Sequence, residues 1–178
     1  MTNRELLTNL GACREAVEWA AKYKTPLAAW KGCKRGDFLL WYCGRVAGPP
    51  DSPSRRKVVL VAAECAATAL HLIADEETRA ICEAKIQTCY AYAHGESTLD
   101  DVRSAANAAA YAADAAYAGN AADAAYADAA ADAAYAANAA YAAYAAADAY
   151  AAARNKVLSE CADIVRANYP TPPTQETP

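Results

Sequence analysis

Residues 104–153 read SAANAAAYAADAAYAGNAADAAYADAAADAAYAANAAYAAYAAADAYAAA, and the reading of this stretch decides the fold class. Alanine fills 33 of its 50 positions, and Tyr, Asp, Asn, one Ser and one Gly take the rest. Alanine is the residue with the highest helix propensity and no proline interrupts the run, so the stretch is expected to be helical. The unit Asp-Ala-Ala-Tyr-Ala begins at Asp114, Asp123 and Asp132, and recurs from Tyr141 with Tyr in place of Asp, a nine-residue repeat. Nine residues make about two and a half turns, so the tyrosines of successive units point to opposite sides. A different line stays bare. Ala115, Ala118, Ala122, Ala125, Ala129, Ala133, Ala136, Ala140, Ala143, Ala147 and Ala151 follow spacings of three and four, with every Tyr, Asp and Asn of that span off the line. Such a seam lets a second helix approach to about 8 Å and offers a route to a homodimer. As one helix, Leu99 to Ala153 would extend about 80 Å, so a break or kink at Gly119-Asn120 is expected, with an unbroken helix as the alternative.

The composition of the whole chain fits this reading. Of 178 residues 52 are alanine, whereas Leu, Ile, Val and Phe together number 24, too few to spread a conventional core over the full length. Scarce aliphatic residues with high charge would signal disorder, but the formal net charge is only −4. The expected fold is all-α, a single domain over 1–168. About five N-terminal helices form a core over 1–95, and a long Ala-rich helix or helical hairpin with a short last helix fills 96–168. A disordered Pro/Thr tail is expected over 169–178.

Further signals place the elements upstream of the alanine tract. Thr2 and Glu5 form a capping box for a first helix carrying Leu6, Leu10, Cys13, Val17 and Ala20 on one face. Thr25-Pro26 opens a short second helix through Trp30 and Cys33. Gly36 is expected to end it and Asp37 to cap a third helix from Phe38 to Val46, whose Leu39, Leu40, Trp41 and Tyr42 make the densest patch of large apolar side chains. After the rigid connection Gly48 to Ser54, residues from Lys57 to Ile73 read as a central helix with a narrow polar stripe of Lys57, Glu64, Thr68, His71 and Asp75. A fifth helix runs from about Glu76 to Ala93, and Ser97, Thr98, Asp100 and Asp101 cap the long segment. Leu158, Cys161 and Val165 return to core spacing in a last helix that ends near Asn168.

The chemistry-bearing residues are few. No run of about 18 large apolar residues occurs and residues 1–5 lack an apolar signal core, so no membrane contact and a cytoplasmic location are expected. Cys13, Cys33, Cys43, Cys65, Cys82, Cys89 and Cys161 are odd in number without a CxxC, which points to free, buried or partly buried thiols and to neither a disulfide framework nor a zinc ribbon. His71 and His94 are the only histidines, and Glu64 with His71 lies about 10 Å apart on a helix, too far for a direct hydrogen bond. There is no P-loop, GxGxxG or HExxH. No catalytic residue, metal site or cofactor is therefore expected.

Charge is segregated. Between Ser104 and Ala153 there is no Lys or Arg, and Asp114, Asp123, Asp128 and Asp132 alternate with Tyr117, Tyr126 and Tyr135, an acidic and aromatic face suited to a basic protein surface. The alternative reading of that face is a solvated helix whose tyrosines pack beside the seam. Arg35, Arg55, Arg56 and Lys57 are the candidate anion-binding residues. The mild acidity of the whole chain argues against direct nucleic-acid binding.

The segments from Gly11 to Trp19 and from Trp30 to Trp41, the latter containing Gly-Asp-Phe-Leu-Leu-Trp, together with Ala-Asp-Ile-Val-Arg at 162–166, carry a resemblance that spans nearly the whole chain. The sequence resembles the Imm5-like immunity proteins of bacteria and phages. That resemblance implies an all-helical protein that neutralises a toxin by binding it, without catalysis. A second expectation is a phage counter-defence protein, inhibiting a host nucleic-acid-targeting complex such as a CRISPR effector or sequestering a nucleotide signal. An exposed Tyr/Asp face favours protein inhibition, and a pocket of Arg35, Arg55, Arg56 and Lys57 favours nucleotide capture.

Overall fold

The computed structural model describes residues 1–73, 76–102, 104 and 149–175. Among these residues the chain is all-α, without a strand: α1 (Asn3–Asn9), α2 (Arg14–Ala20), α3 (Pro26–Gly32), α4 (Gly36–Val46), α5 (Pro53–Ala67), a 3-10 turn (Leu70–Leu72), α6 (Glu76–His94) and α7 (Ala149–Asn168). Residues 99–102 open a further helical stretch. The alanine seam, the Gly119-Asn120 break and the Asp/Tyr face lie outside the described residues.

Local signals set most of the boundaries. Thr2 and Glu5 form the reciprocal capping box, Thr25 caps α3 with Pro26 in its first turn, and Ser52 caps α5 with Pro53 behind it. Thr98 and Asp101 cap each other's backbone amides where the stretch at 99–102 begins. Gly95, at φ +82°, ends α6 in a left-handed turn with Glu96 N–H donating to Ala91 O and Gly95 N–H to Tyr92 O.

Three expected elements differ. The first helix is two, because Gly11 takes φ +80° and closes α1 with the same paired bonds, Ala12 N–H to Leu7 O and Gly11 N–H to Thr8 O. Cys13 then becomes the exposed residue that precedes α2. Gly36 opens α4 instead of closing α3, and Asp37 pairs with Arg35 through Nη2–Oδ2 at 2.6 Å instead of capping. The central helix stops at Ala67, where the Thr68 hydroxyl donates to Cys65 O at 2.7 Å and competes with the backbone ladder.

The core is built where α4, α5 and α7 meet. Its innermost side chains include Leu40, Val58, Val61 and Val165, and also Cys33, Cys43, Cys65 and Cys161, all under 2% exposed. Ala62, Ala63, Ala66 and Ala162 complete the packing. Small residues let the helix backbones approach, and Gly36 marks the limit: a Cβ there would stand 2.4 Å from Cys161 Cβ and 2.8 Å from Ala162 N. A second cluster gathers Tyr92 and Val102, with Val59, Ile81, Cys89 and Leu99 around them. The Tyr92 hydroxyl accepts from Asp51 N–H at 3.2 Å, which ties the 48–54 connection to α6.

Residues 169–175, expected to belong to a disordered tail, lie against the bundle. Trp30 Nε1 donates to Tyr169 O at 2.9 Å, the Tyr42 hydroxyl donates to Pro173 O at 3.2 Å, and Lys57 Nζ stands 4.4 Å from the centre of the Tyr169 ring.

Candidate binding cleft

Phe38, Trp41 and Tyr42 sit three and four residues apart on α4 and so share one face of the helix. Opposite them stand Trp30 of α3, Trp19 of α2 and Leu6 of α1, and Pro172 joins from the C-terminal segment, enclosing a part-open apolar cleft with about 70 Å³ of free space. That space suits an apolar side chain. The cleft uses all three tryptophans of the chain and its only phenylalanine.

The walls are held in place by polar contacts on their outer side. Buried Asn3 donates through Nδ2 to Ala20 O at 3.2 Å and to Tyr23 O at 2.9 Å, fixing α1 against the end of α2. Arg35 lies over Phe38, 4.1 Å from the ring centre, and pairs with Asp37 and with Glu15, the latter at 2.7 Å. Trp30 and Tyr42 meet edge to face with centroids 5.9 Å apart. Cys33 lines the cleft, and burial pushes its thiol up to about 11, so it stays protonated at neutral pH.

The four cations singled out in the sequence are each engaged with the fold. Arg35 serves the Phe38 wall as described. Arg55 donates from Nε to Gly48 O at 3.0 Å and from its Nη atoms to Gly44 O, Ala47 O and Gly48 O, gathering the carbonyls at the end of α4. Arg56 bonds Asp51 and the carbonyl of Tyr92 and lies over the Tyr92 ring, and Lys57 covers Tyr169. Because Arg55 satisfies three carbonyls through charged hydrogen bonds, Arg55→Ala is expected to lower stability by about 2 kcal/mol. Urea denaturation would read this, and an unchanged midpoint would refute the capping role.

The remaining candidates are dispersed or outside view. His71 is exposed on the 3-10 turn, and Glu64 accepts from Asn168 Nδ2 at 3.0 Å. His94 Nδ1 bonds Tyr90 O at 2.8 Å. Among the described residues no three His, Cys, Asp or Glu side chains are placed to hold a metal ion, and none of the helices searched is long and apolar enough to cross a membrane. Asp114, Tyr117, Asp123, Tyr126, Asp128, Asp132 and Tyr135 lie outside the described residues.

The sequence marks 38–42 as the densest patch of large apolar side chains; in the structure Leu39 and Leu40 belong to the core while Phe38, Trp41 and Tyr42 also border the cleft. The signal that it borders a cleft is the spread of Trp19, Trp30 and Trp41 at eleven-residue intervals across three short successive helices, whose tryptophans all line it. Comparisons with models of known families, with curated proteins and with solved structures find no match to this chain.

Proposed function

We propose that this chain is a non-catalytic binding protein of the immunity type, which neutralises another protein by direct contact. One observation carries the reading: the scarcest and largest side chains of an alanine-dominated sequence are gathered around one part-open cleft. An ordinary core would bury them, yet Trp19, Phe38, Trp41 and Tyr42 are all left half-buried. Tryptophan and tyrosine in such settings form the energetic centres of protein interfaces. The acidic and aromatic face between Asp114 and Tyr135 is a second contact surface for the same partner on this reading.

Affinity capture from producing cells, with mass spectrometry and then a purified-partner titration, tests the proposal. A partner retained by the native chain and bound at least tenfold more weakly by Trp41→Ala is expected, with the helical circular dichroism of both unchanged. Charge reversal at Asp123, Asp128 and Asp132 together reports the second surface. Equal retention by all three proteins would overturn both assignments.

A further inference from the structure

One wall of the cleft is formed by a segment of specific chemistry. The segment Tyr169-Pro170-Thr171-Pro172-Pro173-Thr174-Gln175 leaves the end of α7 in neither helix nor strand. Three of its seven residues are prolines, which fix φ and bias the chain to the extended polyproline conformation. Prolines also remove backbone donors, so such a segment offers carbonyl oxygens and ring faces to whatever binds it. The cleft supplies the complement: two hydrogen-bond donors, the Trp30 indole N–H to Tyr169 O and the Tyr42 hydroxyl to Pro173 O, rising from an aromatic wall. Pro172, between these two carbonyls in sequence, lines the cleft itself. Aromatic walls bearing indole and phenol donors are what a preformed proline-rich ligand requires.

Resting on the protein-binding reading above, we propose that the cleft is a docking site for proline-rich peptide segments. The chain's own residues 169–173 are its resident ligand, and a proline-rich segment of the partner protein takes their place. The exchange is feasible in energy. Within this strap Tyr169 is anchored by its packing on the core and its backbone bond to Val165 O, while the prolines beyond it are held by the Tyr42 hydroxyl on Pro173 O, a modest contact, and compete through their tether at an effective concentration in the millimolar range.

The test uses the full chain and a synthetic peptide of residues 169–175, blocked at both ends, read by tryptophan fluorescence and calorimetry. In the native chain the tethered strap suppresses binding of the free peptide. Replacing Pro172 and Pro173 together by glycine loosens the strap while leaving the aromatic wall and both donors in place, and peptide affinity is expected to rise at least tenfold. Adding Tyr42→Phe to that variant should remove most of the gain, about fivefold to tenfold, at unchanged circular dichroism. A peptide with alanine at all three proline positions should bind neither protein. The proposal is overturned by equal affinity in the native and loosened chains, by indifference to the proline-to-alanine peptide, or by light scattering that shows the loosened chain pairing with a second copy through its strap. Failure here with partner capture still dependent on Trp41 would remove the proline-rich ligand and leave the protein-binding reading standing.

Discussion

Gly36→Ala is expected to destabilise the folded chain by about 3 kcal/mol, the upper range for forcing one methyl group into a packed interior. The new Cβ would meet Cys161 Cβ at 2.4 Å, Ala162 N at 2.8 Å and Cys161 C at 2.9 Å. Two of those three atoms are backbone of α7 and cannot rotate away. Gly36 has an ordinary helical conformation, so alanine would by propensity alone favour α4 by up to about 1 kcal/mol, and the contact decides the sign. For a chain of this size the loss corresponds to a fall in Tm of roughly 10 °C. Gly11→Ala supplies the contrast: nothing lies within 4 Å of a Cβ there, and only the φ of +80° opposes it, at about 1–2 kcal/mol. Thermal and urea melts of the two variants separate contact from conformation. A Gly36→Ala protein no less stable than Gly11→Ala would contradict the close approach of α4 and α7.

The same glycine shows what sequence could and could not reveal. Capping chemistry is local, so Thr2 with Glu5, Thr25-Pro26, Gly95 and Thr98 with Asp101 were all legible from residue type and spacing. Periodicity misled where two local signals competed. Leu6, Leu10, Cys13 and Val17 have the spacing of one helix, yet Gly11 at a left-handed turn divides them, and the stripe then belongs to two helices that fold against each other. Thr68 likewise sits in an apolar run that reads as uninterrupted helix, and its hydroxyl on Cys65 O helps to end α5 six residues before Ile73.

The packing style was legible in composition only in part. Excess alanine is concentrated in the tract after residue 104, while 1–95 is expected to carry most of the large apolar side chains in a conventional helical core. The core joining α4, α5 and α7 sets Leu39, Leu40, Val58, Val61 and Val165 among cysteines and alanines. The large aromatics border the cleft, with Trp30 buried in the core and Trp19, Phe38 and Tyr42 packed against it. Their grouping depends on Trp30 meeting Tyr169 and Tyr42 meeting Pro173, contacts between residues more than 130 apart in sequence that no local pattern encodes. The proline-rich tail looked like a polar terminus because a polyproline segment has no hydrophobic period; its meaning lies in the donors it faces.

A core built on cysteine carries a consequence for pH, and alkaline unfolding is the second large effect expected. Burial is the main cause that raises Cys33 to about 11 and Cys43 to about 12, against an ordinary value of 9.0. In the unfolded chain both thiols ionise near pH 9, while in the folded chain they keep their protons. Between pH 9 and 11 the unfolded state therefore binds fewer protons than the folded state, and stability falls as pH rises. The stabilisation is complete below pH 9 and is lost through about pH 11 for Cys33 and about pH 12 for Cys43. Each thiol contributes about 1.4 kcal/mol per pH unit, so the pair removes about 5 kcal/mol by pH 11, comparable with the whole stability of many domains. Burial also raises Tyr42 and Tyr92, which adds to the decline above pH 10. Urea denaturation at pH 8, 9, 10 and 11 measures the slope directly. Cys43→Ala should start from a lower stability because of the cavity it leaves, yet lose about 1.4 kcal/mol less per unit between pH 9 and 11. A stability that stays level from pH 8 to 11 would mean that these thiols reach water in the folded protein, and the close-packed cysteine core would have to be abandoned.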